Sequence, residues 1–370
     1  MGHDPPCHGG GESVDRIRAL FRGAVRCDGS SWIVSGRAGL PFIPVIARVV
    51  APLLAIILLV LVVRQIDIDE AVEVITRADL RLLAVTWLIV VLSQGMRALR
   101  WRVILEASGS TPVTPVFWAN LAGYCGNYVL PARAGEAIRS ALASRALARP
   151  LGFVLATAMT ERIIDVPVLV LSAAAAGLLL EAMPAEVGGA LGAMAIAAVA
   201  GVLGLTIAPR LLTLGRRILA RAPLIAQHAM RIDPHLERLS EGFTALHDGR
   251  RLLAFAGFTA VVWSIDILLG QVLAWAMGFT LSIPLTILLI ASLGLSSALP
   301  STPGYVGIYQ FVALIVLVPF GLSASQAVAY VVLLQLLAYA VVVPFGVVGM
   351  WRLGGGFVTG RNLREITAKD

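Results

Sequence analysis

The chain has 370 residues, of which 58% are hydrophobic and only 14% charged, and its mean hydropathy is +0.87; a soluble domain carries roughly 45–50% apolar and about 25% charged residues. This excludes a soluble enzyme or a nucleic-acid-binding domain and indicates an all-α, polytopic membrane protein. The net charge of +7 is almost wholly arginine, since Lys369 is the only lysine, and in a membrane such an excess reports orientation and contact with anionic head groups.

Residues 1–44 read as a basic, Gly-rich cytoplasmic tail, with a short amphipathic helix over 14–25. No secretory leader pattern opens the chain, because the first long apolar run starts near Val45. His3, Cys7 and His8 are close enough to hold a metal, but the Gly-rich context favours an unstructured start. Cys7, Cys27 and Cys125 have no paired spacing, so no disulfide framework, zinc site or cofactor is expected.

A spanning helix needs about 20 apolar residues. Runs of that kind cover 45–63, 82–99, 151–180, 188–208, 252–277 and 324–350, within a membrane domain over 45–350. The connection 64–81 carries Asp67, Asp69, Glu70, Glu73 and Asp79, and 181–187 is acidic. By contrast Arg97, Arg100 and Arg102, the stretch 133–149, the connection 209–251 and the tail 351–370 are basic. Basic loops stay in the cytoplasm, so both termini are expected inside, in the cytoplasmic (inner) membrane. Arg97, Arg100 and Arg102 beside Trp101 read as an interfacial anchor. The 209–251 segment reads as a cytoplasmic amphipathic helical hairpin on the inner leaflet, or as a solvated connector.

Two stretches break the pattern. Asn127-Tyr-Val-Leu-Pro-Ala-Arg-Ala-Gly-Glu-Ala-Ile-Arg139 follows an apolar run, 115–130, that is short and dotted with Asn120, Tyr124 and Asn127. Leu299-Pro-Ser-Thr-Pro-Gly-Tyr-Val-Gly-Ile-Tyr-Gln310 repeats the Leu-Pro and small-residue turn between the apolar segments 284–299 and 303–320. Pro131 and Gly135 mark the first turn; Pro300, Pro303, Gly304 and Gly307 mark the second. Two broken apolar segments in corresponding halves point to a transporter binding site. Each is a re-entrant helical hairpin or, for 284–320, two short spans. With the loop charges above, the hairpins enter from opposite faces, as inverted repeats.

Ionisable groups inside a span cost about 2.5–3.5 kcal/mol or more at the bilayer centre and by default mark a pathway. Glu161, Arg162 and Asp165 lie inside 151–180, with Thr157, Glu161 and Asp165 on one helix face; Asp266 lies inside 252–277. The substrate-binding set is therefore Asn127, Arg133, Glu136, Arg139, Glu161, Arg162, Asp165, Asp266 and Gln310, with no catalytic residue. Arg133 and Arg139 suit a phosphate, and the carboxylates an amine. Two uses of Glu161 stand open: facing substrate, or neutralising Arg133 or Arg139 to pin the hairpin to the helix.

Leu99-Arg-Trp-Arg102, Asn127–Arg139, Glu161-Arg-x-x-Asp165 and Leu299–Gln310 together resemble the flippase-like membrane family found as the N-terminal portion of lysylphosphatidylglycerol synthase. The resemblance spreads over about residues 45–350. Its last motif usually ends in an acid, where this chain has Gln310. It implies translocation of a polar lipid with a phosphate or amine head group, and a homodimer among its assemblies. It does not imply lipid synthesis.

No nucleotide-binding loop of the P-loop type occurs in the sequence, so transport would follow a gradient or a coupled ion. Other function classes stay open. One is a membrane glycosyltransferase that uses Asp67-x-Asp69 for a metal or sugar phosphate. Another is a polyprenyl-pyrophosphate phosphatase, and a third is a membrane scaffold docking through 209–251.

Overall fold

The computed structural model describes residues 57, 59–130, 134–180, 189, 196, 245–246, 248–297 and 303–354. The expectations for 1–56, for 355–370 and for most of 181–247, and those for Pro131, Arg133 and Pro300, lie outside the described residues. The described residues form α1 (Ile68–Thr76), α2 (Leu80–Leu105), α3 (Val113–Val129), α4 (Gly135–Ala146) and α5 (Leu151–Leu178) in the first half. After these come α6 (Gly249–Ala276), α7 (Ile283–Ser296), α8 (Ile308–Leu317) and α9 (Ala324–Gly354). No strand occurs among them. The protein is an all-α membrane protein.

Helix length sorts these elements. At about 1.5 Å per residue, α2, α5, α6 and α9, with 26, 28, 28 and 31 residues, exceed a hydrocarbon core roughly 30 Å thick. Helices α3, α4, α7 and α8, with 17, 12, 14 and 10 residues, fall short of it. Among the described residues, three stretches are both long and apolar enough to cross a membrane: Leu80–Ser108, Gly249–Ala276 and Ala324–Gly354. Helix α5 is as long, but Glu161, Arg162 and Asp165 interrupt its apolar run.

Local chemistry starts and stops the helices. Asp79 caps α2 through the backbone N–H groups of Arg81 and Leu82, and Ser282 caps α7 through that of Leu285. Asp67 accepts from the backbone N–H groups of Asp69, at 2.9 Å, and Glu70, at 3.2 Å, and so caps α1. Its own N–H donates to the Ser325 hydroxyl, tying α1 to the start of α9. Helix α3 ends at Leu130, which is extended at φ −102° and ψ 145°, the conformation a following proline imposes.

The helices pack as two neighbouring groups. Trp101, Val116, Leu142 and Phe153 join α2, α3, α4 and the start of α5. Leu169, Leu273, Leu288, Leu314 and Tyr330 join the far half of α5 to α6, α7, α8 and α9. Helices α2 and α6 lie along one another, as do α3 and α9. Close approach in the second pair needs small residues: a Cβ on Gly346 would stand 2.4 Å from Cβ of Cys125, and one on Gly349 would stand 2.5 Å from the Trp118 carbonyl oxygen. Such small-residue crossings carry helix association where lipid supplies no hydrophobic drive. Mid-helix Leu88, Leu171, Leu253, Leu268 and Leu336 are exposed, as a lipid-facing surface requires.

Each short pair forms a hairpin, α3 with α4 and α7 with α8. In the first, Gly135 opens α4 directly against the α3 backbone. A Cβ there would sit 1.9 Å from the Gly123 carbonyl oxygen and 2.6 Å from the Asn127 nitrogen. The turn of the second is a 3-10 segment, Pro303–Tyr305, with Gly304 at φ +69° and Gly307 at φ +88°. Both angles lie in the left-handed region that glycine tolerates.

Candidate functional site

The charged side chains that sequence alone places inside the membrane region converge between the two helix groups. Helix α2 supplies Arg100, fully buried, whose guanidinium spans Glu161 and Asp165 of α5. Its Nε and Nη2 donate to Glu161 Oε1 at 3.1 and 2.7 Å; Nη1 and Nη2 donate to Asp165 Oδ1 and Oδ2 at 2.6 and 2.9 Å. Glu161 and Asp165 are one helical turn apart, so one planar fork reaches both.

Helix α4 brings Arg139 to the other oxygen of the same carboxylate. Arg139 Nη2 donates to Glu161 Oε2 at 2.9 Å, and Nη1 donates to Asn120 Oδ1 of α3 at 2.9 Å. Its guanidinium also lies 4.2 Å from the Trp101 ring centroid, a cation–π contact strengthened by desolvation. Glu136, one turn before Arg139, accepts from Arg162 Nε at 2.9 Å and pairs with Arg139 at 3.2 Å. A fourth arginine, Arg97 of α2, pairs with Asp266 of α6, which also accepts from the Ser93 hydroxyl at 2.7 Å. Among the described residues of this network, Arg97, Arg100, Arg139 and Arg162 are matched by Glu136, Glu161, Asp165 and Asp266.

Glu161 thus takes the second of its two readings in part. It neutralises Arg139 and pins α4 to α5, with Arg100 as the further partner. Arg97 and Arg100 are not the interfacial anchor expected from the sequence: Arg100 is enclosed, and Arg97 is largely covered. Of that trio Arg102 alone sits at the helix end, donating to the Thr111 carbonyl and pairing with Glu106. The missed signal was spacing, since Ser93, Arg97 and Arg100 share a face of an otherwise apolar helix.

Beside the network lies a cavity of about 270 Å³, reached by α2, α3, α5, α6, α7, α8 and α9. Arg97, Arg162, Asp165 and Asp266 lie on its wall. Arg139, Glu161, Glu136 and Asn127 do not; the first three stand behind it, tying α4 to α5, and Asn127 lies against Gly135 with its side-chain oxygen unpartnered. Tyr128 near the end of α3 meets Tyr305 of the second turn edge to face, with centroids 6.2 Å apart, and Tyr339 of α9 at 4.7 Å. The inner ends of the two hairpins therefore touch at the cavity.

Gln310 is turned away from that space. Its Oε1 accepts from the Gly307 N–H at 2.8 Å, capping α8, and its Nε2 donates to Gln335 Oε1 at 2.5 Å. Gln335 donates in turn to the Gly304 carbonyl at 2.9 Å, which also accepts from the Tyr339 hydroxyl. This amide ladder holds the turn marked by Pro303, Gly304 and Gly307. Three polar groups outside the expected binding set line the cavity from α2, α3 and α6: Gln94, Trp263, and Tyr124, which the sequence marks only as a break in a short apolar run. Among the described residues no cluster of histidine, cysteine or carboxylate could hold a metal ion.

The family described as the lysylphosphatidylglycerol synthase TM region matches residues 48–346. The chain is also 26% identical, over 320 aligned residues, to a Haloferax volcanii protein named glycosyltransferase AglD; the match covers 75% of this chain. It covers 50% of that relative, so the chain spans about half the length of the protein it matches. This is a multi-pass membrane protein connected with lipid metabolism, and the extent of the first match decides its kinship: the chain belongs to the family of the lysylphosphatidylglycerol synthase TM region.

Proposed function

We propose that the chain moves a polar lipid between the leaflets of the cytoplasmic membrane. The head group enters the cavity between the two hairpins while the acyl chains stay in the surrounding bilayer. The observation that carries this reading is a chamber with Arg97, Arg162, Asp165 and Asp266 on an otherwise largely apolar wall, bordered by the touching ends of two helical hairpins too short to span, inside a fold whose outer faces are apolar. Half-crossing helices related by inverted topology, with a site near the midplane, are how alternating-access carriers are built. The ion network then has a mechanical role. Glu161 clamps α2, α4 and α5, so rearrangement of one hairpin against the long helices must exchange those pairs.

Movement follows the lipid gradient or a coupled ion, and substrate must bind one access state better than the other. The test is reconstitution of the full chain into vesicles with acyl-labelled lipid. Labelled lipid becomes accessible at the opposite leaflet with its head group intact, and Arg97→Gln slows this while the protein stays folded. Release of free sugar or phosphate without lipid movement would overturn the reading.

A second reading, a membrane enzyme on a polyprenyl or phospholipid substrate, draws on the name of the Haloferax relative. Against it stands Asp67, whose carboxylate is engaged in capping α1 rather than held open with Asp69 for a metal or sugar phosphate.

A further inference from the structure

The cavity wall carries a second set of polar atoms beside its charges, and they differ in what they ask of a ligand. The Oε1 of Gln94, the hydroxyl of Tyr124 and the indole N–H of Trp263 are buried and have no hydrogen-bond partner. All three residues line the same cavity. A buried polar atom without a partner costs about 1–3 kcal/mol, and all three such atoms belong to residues of one cavity wall.

Their senses are mixed. Gln94 Oε1 accepts, Trp263 Nε1 donates, and the Tyr124 hydroxyl does either. A phosphate offers only acceptors and leaves Gln94 Oε1 unmet. An ammonium offers only donors and leaves the Trp263 N–H unmet. Hydroxyl groups both give and accept, and a ring bearing several can satisfy all three.

The charges point the same way. Arg97 is paired with Asp266, and Arg162 with Glu136. A head group of one charge sign would have to part such a pair and leave the other partner's charge uncompensated, which is strongly unfavourable. An uncharged one leaves every pair in place. The wall also carries the aromatic side chains of Tyr124, Tyr128, Tyr305, Tyr309 and Trp263, with Arg162 lying over the Tyr124 ring, Arg97 over the Trp263 ring, and Tyr305 stacked on Tyr309.

We infer that the head group this cavity receives is an uncharged, hydroxyl-rich one, a sugar or other polyol on a lipid anchor, and not the phosphate or amine expected from the sequence. The inference rests on the translocation reading and names its substrate class. Gln94, Tyr124 and Trp263 are its specificity-determining contacts.

The experiment uses the full chain in vesicles with four acyl-labelled probes of matched chain length: monoglucosyl diacylglycerol, phosphatidylglycerol, phosphatidylethanolamine and lysyl-phosphatidylglycerol. The glycolipid should cross about tenfold faster than any of the three phospholipids, each of which brings an ionised phosphate. Tyr124→Phe keeps its ring and removes only the hydroxyl, so it should slow the glycolipid about fivefold to tenfold, the scale of one lost hydrogen bond; Trp263→Phe removes the indole N–H and also shrinks the ring, and should slow the glycolipid at least as much. A charged lipid crossing fastest overturns the polyol inference and leaves translocation standing. Fast glycolipid movement that neither variant slows overturns the assignment of these contacts. No movement of any probe by folded protein overturns translocation, and the inference with it.

Discussion

The two hairpins have similar dimensions and opposite chemistry. In the first, α3 and α4 approach so closely that Gly135 touches the α3 backbone, and Arg139, Glu136 and Asn120 fill the contact with charge. In the second, α7 and α8 are apolar, and their turn is held by neutral amides, Gln310 to Gln335 to the Gly304 carbonyl. Both meet the same need, because the ends of helices leave backbone groups that must find partners. The first hairpin meets it with a network that reaches α2 and α5, so its position is coupled to the rest of the protein. The second meets it locally, through its own cap and α9. The first hairpin is tied to its neighbours by ion pairs, the second by neutral amides shared with α9.

Substitutions can break that contrast. The largest effect is expected at Gly135→Ala, where the new methyl would meet backbone on α3 that cannot yield. A loss above about 4 kcal/mol, in the range tied to severe overpacking, should abolish folded material in size-exclusion chromatography. Gly294→Ala in the second hairpin meets only the Leu169 side chain, and should cost about 1 kcal/mol, the low end for added core volume. Equal losses at the two sites would erase the distinction.

Next in size is Glu161→Gln. It leaves Arg100 and Arg139 buried beside an uncharged amide, a loss of about 3–5 kcal/mol for a broken buried pair, visible as a lowered thermal midpoint in detergent. Its counterpart Gln310→Leu removes a cap and an amide contact, about 1–3 kcal/mol. A smaller penalty at Glu161 than at Gln310 would contradict the coupling assigned to the first hairpin.

At the cavity wall the comparison turns from stability to movement. Arg97→Asp or Asp266→Arg alone should destabilise by about 2–3 kcal/mol or more, because each sets like charges against one another in a covered site. The exchange of both should recover most of that loss while lipid movement stays slow, measured side by side in melting and vesicle assays. Full recovery of movement would make the pair a purely structural tie. The smallest effect belongs to Asp67→Asn, since asparagine caps helices about as well as aspartate and the change is worth only a few tenths of a kcal/mol. Movement should be unaltered, with or without a chelator; strong loss of activity would favour the enzyme reading.

What residue order determined by itself is considerable. Composition set the membrane class, apolar run length located α2, α5, α6 and α9, and the Leu-Pro turns marked where α3 and α7 stop. These properties depend on short stretches of chain, through hydropathy and through the constraint that proline places on its predecessor. The ionisable residues Glu161, Asp165 and Asp266 were visible as costly, and Arg139 as a plausible partner for Glu161. Which groups face the cavity was decided only by tertiary structure. Arg100 reads as a helix-end anchor until α5 is packed against α2, and Gln310 reads as a site residue until Gln335, on another helix, takes its amide. Gln94 and Trp263 carry no signal in sequence, and Tyr124 shows only as a polar break in a short apolar run, because a polar atom becomes unpartnered only through the helices that enclose it. Pairing and burial are properties of neighbours distant in the chain, and no local pattern encodes them.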